Sequence, residues 1–274
     1  MGRRADRRRV MRVRGSSVDM RADTLAVEEP LEIRVGGEAF TITMRTPGDD
    51  FALAAGHLVS EGTITGSADL RGIRHCDDGR PDATGNVVDV TLVEGITPPT
   101  AHRHTYMSSA CGICGKDSLD AVRTRARWDV TEDDVLLSAE LLAALPDRLR
   151  AGQAVFERTG GLHAAALFSA DGELLHLAED VGRHNAVDKV VGQAVLADRL
   201  PLRATILQVS GRASYELVQK AWLAGIPVLS AVSAPSTLAV DLASEAGMTL
   251  AGFVRGASMN VYAGGWRLID ARDG

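Results

Sequence analysis

The sequence predicts an α/β protein, and the observations behind this lie in the last third of the chain. Three apolar segments, "ATILQVS", "IPVLSAV" and "TLAGFVRG", alternate with two segments of helical pattern, "YELVQKAWLAG" and "LAVDLASEAG". Continuous apolar strands in a strand–helix–strand–helix–strand order are typical of a buried parallel sheet that helices cover.

The preceding segments predict further strands and helices. "LEIRVGGEAFTITM" alternates apolar and polar residues around Gly36-Gly37, which indicates a β-hairpin. An Asp-capped helix is expected from Phe51 to Glu61, followed by a strand in "NVVDVTLVEG". "LHAAALFSADGELLHLAEDVG" indicates a second hairpin, and "HNAVDKVVGQAVLADRL" has the stripe of an amphipathic helix.

Two more helices are expected between these hairpins. One should begin at Asp117, and the other should cover Asp133 to Arg150 and be interrupted or end near Pro146. Together the patterns predict a mixed sheet flanked by helices, with a smaller N-terminal α+β subdomain. The predicted segments are a basic, disordered tail over 1–24, the α+β subdomain over 25–100, a flexible loop over 101–116 and an α/β domain over 117–274.

Composition and charge exclude several classes of protein. The chain of 274 residues has a net charge of −6, but its first 14 residues contain seven Arg and one Asp, so the remaining 260 carry −12. A body this acidic disfavours nucleic-acid binding. There is no apolar run of membrane-spanning length, and three cysteines fit a reducing cytoplasm better than a disulfide framework.

Three loops should meet at one edge of the predicted parallel sheet. They are "SGRAS", "SAPST" and "FVRGAS", each at the carboxyl end of a strand, and two of them open helices. Helix N-termini favour phosphates, Arg212 and Arg255 would add positive charge, and Ser210, Ser233, Ser236 and Ser258 could donate hydrogen bonds. We therefore expect an anionic, nucleotide-bearing ligand, although simple helix capping would require similar residues.

The pair Cys111 and Cys114 in "YMSSACGICGKDSLD" admits several uses. A zinc site lacks a second knuckle, and the H-x-E of zinc deaminases is absent, so no metal is expected. A reversible dithiol and a purely structural pair stay open. Nucleophilic sulfur chemistry is favoured by Lys116 and by the predicted helix N-terminus that follows, because both stabilise a thiolate.

Five ordered blocks resemble the FdhD family of formate dehydrogenase accessory sulfurtransferases. The blocks are "SSACGICGK", "ERTGGLHAAALF", "EDVGRHNAVDKVVG", "SGRASYELVQKA" and "GFVRGASMNVY", and the resemblance runs from about residue 25 onward. It implies a main domain similar to the cytidine deaminase fold and a cytoplasmic homodimer.

The resemblance also implies a function and its residues. Sulfur from a cysteine desulfurase would be carried as a persulfide on Cys111, with Cys114 assisting, and passed to the molybdenum bis(molybdopterin guanine dinucleotide) cofactor destined for formate dehydrogenase. The cofactor-binding segment would comprise Phe253, Val254, Arg255, Gly256, Ala257 and Ser258, next to Ser210, Gly211 and Arg212 of the first loop. The alternatives are a cofactor chaperone without sulfur chemistry and a zinc-dependent, deaminase-like enzyme.

Overall fold

The protein has an α/β fold in which helices flank mixed sheets, as predicted. A computed structural model describes residues 3–76, 85–97 and 126–269. Its strands are β1 (Ala5–Arg14), β2 (Ser17–Ala26), β3 (Glu29–Val35), β4 (Glu38–Arg45), β5 (Leu70–His75), β6 (Val87–Leu92), β7 (His163–Ser169), β8 (Leu174–Asp180), β9 (Thr205–Val209), β10 (Val228–Ala231), β11 (Thr249–Arg255) and β12 (Ser258–Ala263). Its helices are α1 (Asp50–Ser60), α2 (Ala139–Ala151), α3 (Ala154–Thr159), α4 (Arg183–Leu196), α5 (Tyr215–Leu223) and α6 (Thr237–Glu245).

The largest sheet has the strand order β12-β11-β10-β9-β7-β8. Strands β9, β10 and β11 are parallel, which confirms the expected strand–helix–strand series. The other pairs are antiparallel, because β7 and β8 form the second predicted hairpin and β12 returns along β11. The carboxyl ends of the three parallel strands therefore lie at one edge.

Alternate side chains of this sheet enter two separate cores. On β7, Ala165 and Leu167 belong to a large core with α1, α4, α5 and α6, whereas Ala164, Ala166 and Phe168 belong to a smaller core with α2. Because side chains in a strand point alternately to opposite faces, this division places helices on both sides of the sheet.

The N-terminal α+β segment is built on a second sheet with the order β4-β3-β6-β5. Its helix α1 packs directly on α4 through two glycines. A β-carbon at Gly56 would overlap the carbonyl oxygen of Asp188, and one at Gly192 would overlap that of Ala52. The two helix backbones can approach this closely because neither glycine has a side chain. The predicted domain boundaries themselves stay predictions.

A buried ion pair reinforces the same junction. The ammonium of Lys220 on α5 lies 2.7 and 2.8 Å from the two carboxylate oxygens of Asp188 on α4. Ser60 at the end of α1 donates to Asp188 at 2.6 Å, and His57 Nδ1 lies 3.5 Å from it. Three helices are thus joined around one carboxylate that is 1% exposed.

The expected disordered tail is wrong for residues 5–24. Strands β1 and β2 pair antiparallel around the two-residue turn Gly15-Ser16, in which Gly15 has a φ of 58°. Across the hairpin, Arg12 faces Asp19 and Met11 faces Met20. Paired charges and paired apolar residues stabilise antiparallel strands. The prediction of disorder rested on the arginine content alone and overlooked this alternation of charged and apolar pairs.

Other helix predictions differ in detail. The helix expected from Asp133 begins instead at Ala139, where the hydroxyl of Ser138 accepts a hydrogen bond from the N–H of Leu141, and it continues through Pro146. Helix α1 is present, but Asp49 before it has a left-handed backbone and makes no side-chain cap. The helix predicted from Asp117 lies outside the described residues.

Candidate functional site

The candidate site is the edge of the large sheet where β9, β10 and β11 end. Backbone hydrogen bonds tie the three predicted loops together there. Ser233 N donates to Gly211 O at 3.2 Å, and Ser236 N donates to Ala213 O at 3.0 Å. Phe253 N in turn donates to Ser233 O at 3.2 Å. The expected side-by-side arrangement of these loops is therefore confirmed.

The third loop is a turn between two strands, and its backbone is unusual. Phe253 has a φ of 53° and Gly256 a φ of 57°. The pairing of β11 with β12 shifts register between Gly252 and Arg255, so the chain bulges at Phe253. A left-handed phenylalanine costs roughly 1–3 kcal/mol, and such strain concentrates at functional sites.

The predicted ligand-binding residues differ in what they can offer a ligand. Arg212, Arg255 and the turn residues Gly256, Ala257 and Ser258 are exposed. Val254, in contrast, is fully buried in the smaller core, and the hydroxyl of Ser210 accepts a hydrogen bond from Ala164 N at 2.9 Å. The exposed arginines and turn backbone are thus the groups that are free to meet an anion.

A cleft of about 700 Å³ opens beside this edge, on the side of the sheet that α2 covers. Ser210, Val254 and Arg255 line it, so three of the nine predicted cofactor-binding residues contribute. Most of the remaining wall comes from α2, α3 and the residues up to the start of β7, including Gln153, Phe156, Gly160, Gly161, Leu162 and His163. None of these wall residues was among the predicted site residues.

Helix α3 is held in this wall by a buried carboxylate. Glu179 on β8 accepts hydrogen bonds from Val155 N at 2.9 Å and Phe156 N at 2.7 Å, and it is 4% exposed. The carboxylate thereby satisfies two free N–H groups at the start of the helix. In the sequence, this wall is marked only by the block "ERTGGLHAAALF", which carries part of the family resemblance. The residue pattern of that block does not predict a cleft.

His163 reaches the cleft from the start of β7. Burial lowers its pKa, and the positive charges of Arg183 and His184 lower it further, while Asp180 acts in the opposite direction. A β-carbon placed on Gly211 would lie 3.5 Å from His163 Nδ1, so the imidazole lies against the first loop. The lowered pKa favours the uncharged imidazole of His163, which can accept or donate a hydrogen bond there.

His184, Glu216 and Ser214 form a polar cluster next to His163. His184 Nε2 lies 2.7 Å from Glu216 and 3.5 Å from the Ser214 hydroxyl. The hydrogen bond from His184 lowers the pKa of Glu216, although burial opposes this. Both contacts of His184 use the same ring nitrogen, whereas a serine–histidine–acid relay needs one on each nitrogen. This geometry does not support a hydrolase triad.

The two helices that begin at this edge differ in their attraction for an anion. Glu216 in the first turn of α5 already places a carboxylate at that N-terminus. The first turn of α6 contains no acidic residue, although Ser236 caps it by accepting from Ala239 N at 3.2 Å. Because the positive helix end is already compensated in α5, the start of α6 is the better place for a phosphate.

Cys111 and Cys114 lie outside the described residues. Within residues 3–76, 85–97 and 126–269, no group of three or more His, Cys, Asp or Glu side chains is arranged to hold a metal ion. Across the same ranges, none of the helices combines the length and apolarity that crossing a membrane demands.

One solved structure shares this architecture. It is a protein from Desulfotalea psychrophila that has been proposed to be a formate dehydrogenase accessory protein. The two chains superpose with a TM-score of 0.77 over 97% of this chain and 99% of the other, at 23% identity. At this identity the likeness shows the fold alone, and the expected similarity to cytidine deaminase stays a prediction.

Curated relatives and a family model cover almost the whole chain. Sulfur carrier protein FdhD of Streptomyces avermitilis is 61% identical over 98% of this chain and 97% of its own length. The protein of the same name from Nocardia farcinica is 55% identical over 97% and 96%. The model of the FdhD/NarQ family matches residues 26–269, so β1 and nearly all of β2 precede the matched region. The chain therefore belongs to the FdhD/NarQ family.

Proposed function

We propose that this protein is a sulfur carrier that matures formate dehydrogenase in the cytoplasm. It accepts sulfur from a cysteine desulfurase as a persulfide on Cys111 and transfers it to the molybdenum bis(molybdopterin guanine dinucleotide) cofactor, which is its substrate. The names of the curated relatives support the sulfur-carrier role, and the formate dehydrogenase connection of the structural neighbour agrees with the target.

The observation that carries the proposal is the cleft beside the carboxyl edge of the sheet. A guanine dinucleotide is large and polyanionic, and the cleft of about 700 Å³ has Arg255 at its side. Arg212 and Arg255 are exposed at the adjoining loops, and the N-terminus of α6 lacks a competing carboxylate. Exposed guanidinium groups and free backbone N–H groups are the usual partners of phosphate oxygens. We assign the phosphates to this edge.

The sulfur chemistry needs both cysteines. The Cys111 thiolate attacks the outer sulfur of the desulfurase persulfide, and the S–S bond of that persulfide breaks to free the desulfurase thiolate. The Cys114 thiolate then attacks the inner sulfur of the Cys111 persulfide. A Cys111–Cys114 disulfide forms, hydrosulfide leaves towards molybdenum, and an external dithiol reduces the disulfide for the next cycle.

Mass spectrometry of the protein after incubation with a cysteine desulfurase and cysteine tests this assignment. The wild-type chain should gain one sulfur atom that a reducing agent removes, and the peptide with Cys111 should carry it. Cys111→Ala should gain none and should leave formate dehydrogenase inactive. Cys114→Ala should load sulfur but release it poorly, because no second thiol attacks the persulfide.

Cys76→Ala is the matched control, since Cys76 is a free thiol directly after β5 and does not line the cleft. It should load sulfur and activate formate dehydrogenase like the wild type. Full activation by Cys111→Ala would contradict the persulfide role and would favour a cofactor chaperone. About one zinc per purified chain, found by elemental analysis, would favour a zinc-dependent enzyme instead.

A further inference from the structure

The cleft beside the carboxyl edge has two chemically different ends. The end beside the sheet, with Ser210 and Arg255, is where the proposed function places the phosphates. The other end, which we call the helix end, is formed by α2, α3 and the short connection between them. Its polar and aromatic side chains are Asp147, Arg150, Gln153 and Phe156. These four residues have no role in the function proposed above.

Gln153, in the connection between α2 and α3, is a buried polar side chain of the helix end. It is 5% exposed, yet within residues 3–76, 85–97 and 126–269 its side-chain amide makes no hydrogen bond. Its backbone is fixed, because its N–H donates to Arg150 O at 3.2 Å and its carbonyl accepts from Glu157 N at 3.0 Å. Burying an amide without a partner is unfavourable, so this amide is suited to meet a polar group of a ligand.

Phe156 and Arg150 form a flat platform in the helix end. The guanidinium carbon of Arg150 lies 4.7 Å from the centroid of the Phe156 ring, over its face, and Arg150 also pairs with Glu157. The wall includes Gly160, where an added β-carbon would meet no atom within 4 Å, so it is open there to a planar ligand. Aromatic rings and guanidinium groups both stack on nucleobases. The platform therefore suits a base.

The helix end also contains an acceptor for N–H groups. Asp147, which is exposed, is the one acidic residue among the described residues that line the cleft. By charge alone a carboxylate weakens the binding of a polyanion, so its place in this cleft fits recognition of a base. Guanine presents two adjacent donors, N1–H and the 2-amino group, and a carboxylate can accept from both. Adenine presents the acceptor N1 there, which a carboxylate repels.

We propose that the helix end of the cleft is a guanine-specific base subsite. The base stacks on the platform of Phe156 and Arg150, Asp147 accepts from its N1–H and 2-amino groups, and the amide of Gln153 donates to its O6. The inference rests on the proposed function, in which the phosphates lie near Arg255. It adds which end of the cleft takes the base and which side chains distinguish guanine from adenine.

Isothermal titration calorimetry of the full-length protein with three probes separates the two ends. Guanosine diphosphate tests both ends, adenosine diphosphate changes only the base, and inorganic pyrophosphate tests the phosphate end alone. The wild type should bind guanosine diphosphate at least about tenfold more tightly than adenosine diphosphate, because adenine lacks the two donors for Asp147. Pyrophosphate should bind more weakly than guanosine diphosphate, because it has no base to stack.

Asp147→Asn tests the recognition of guanine. It should weaken guanosine diphosphate about tenfold and leave adenosine diphosphate within about threefold. Removing a negative charge would by itself tighten all three anions, so a loss confined to guanosine diphosphate identifies hydrogen bonds to the base. Asp171→Asn is the matched control, because Asp171 is exposed after the end of β7, whereas the cleft adjoins the start of that strand. It should bind all three probes like the wild type.

Phe156→Leu tests the stacking platform. It should weaken guanosine and adenosine diphosphate alike, by about five- to tenfold, and leave pyrophosphate within about threefold, because stacking accepts either base. Phe51→Leu is the matched control on α1, where Phe51 contacts His75 outside the cleft. It should leave the affinity for each of the three probes unchanged.

Gln153→Met tests the buried amide at nearly constant side-chain size. It should weaken guanosine diphosphate about three- to tenfold without lowering the midpoint of urea unfolding, because an amide without a partner adds no stability. A purely structural glutamine would show the reverse, with a lower midpoint and unchanged affinity, and would remove Gln153 from the subsite.

Two results would overturn the base subsite and leave the proposed function standing. They are equal affinities of the wild type for guanosine and adenosine diphosphate, and guanosine diphosphate binding that Asp147→Asn and Phe156→Leu leave unchanged. A wild type that binds neither guanosine diphosphate nor pyrophosphate would instead contradict the proposed substrate, and the base subsite with it.

Discussion

The two faces of the six-stranded sheet are built in different ways. Helices α1, α4, α5 and α6 close one face with a large continuous core and the buried pair of Asp188 and Lys220. The other face is covered by α2, has a smaller core, and opens into the cleft beside the carboxyl edge. Most of the buried apolar residues therefore lie on one face of the sheet, whereas the other face leaves room for a ligand.

Replacing Asp188 by Asn should have the largest effect and should act on stability. The variant leaves the buried ammonium of Lys220 without its counter-ion, which typically costs about 3–5 kcal/mol of unfolding free energy. Urea unfolding at neutral pH measures this. Asp241→Asn on the exposed side of α6 makes the same chemical change and should cost less than about 0.5 kcal/mol.

The role of Asp188 also predicts how the unfolding free energy of the wild type depends on pH. Burial raises the pKa of Asp188, but the Lys220 ammonium and His57 outweigh it and lower the pKa from 3.8 to about 2. A depressed carboxyl pKa contributes stability above the unfolded value and loses it as pH falls through the folded one. About 2 kcal/mol should disappear as the pH falls from about 4 towards 2. Asp188→Asn should lack this component; an identical acid profile would contradict the role of Asp188.

Gly192→Ala should have the next largest effect. The added methyl group overlaps the carbonyl oxygen of Ala52, so α4 and α1 must separate. Overpacking of this kind costs about 1–3 kcal/mol of unfolding free energy. Gly66→Ala is the matched control, because no atom lies within 4 Å of its added β-carbon. Equal denaturant midpoints for the two variants would show that the contact between α1 and α4 is not tight.

Arg255→Gln should have the smallest effect, and it should act on binding alone. Guanosine diphosphate is a suitable probe, because it carries the base and phosphates of the proposed substrate. Losing one exposed guanidinium contact should weaken its affinity by about five- to tenfold, near 1 kcal/mol, in isothermal titration calorimetry. The free energy of unfolding should stay within about 0.5 kcal/mol of the wild type.

Arg203→Gln is the control for charge, since Arg203 is exposed before β9, at the opposite end of that strand. It should bind the probe as the wild type does. Equal losses for the two variants would mean that general charge attracts the probe, and no loss for Arg255→Gln would remove Arg255 from the site. Either result would contradict the proposal that the ligand binds in the cleft on the α2 side of the sheet.

Much of the fold could be predicted because its elements have strong local patterns. The apolar runs before and after α5 are strands, and the stripe through Val187, Val190 and Val191 is a helix with its apolar side fully buried. The positions of the loops at one edge followed from the parallel order of β9, β10 and β11. The spacing of apolar residues predicts these helices and strands, since it indicates which side of each element is buried.

The N-terminal hairpin of β1 and β2 was missed because the arginines of β1 mask its alternation of apolar residues. Val10, Met11 and Val13 are interspersed with arginines, which on composition alone indicate a disordered tail. The pairing partners that turn this pattern into strands lie on the other side of the turn. Strand formation here depends on cross-strand pairs, which a reading along one strand does not show.

The sequence by itself determined the family, the order of the elements and the two cysteines that the proposed sulfur transfer requires. Only the tertiary structure decided that β7 lies beside β9, that α3 forms the wall of a cleft, and that His163 reaches that cleft. The physical reason is the range of the interactions. Helix and strand patterns arise between neighbours in the chain, whereas a cleft and the charge state of a histidine depend on groups that folding brings together from distant segments.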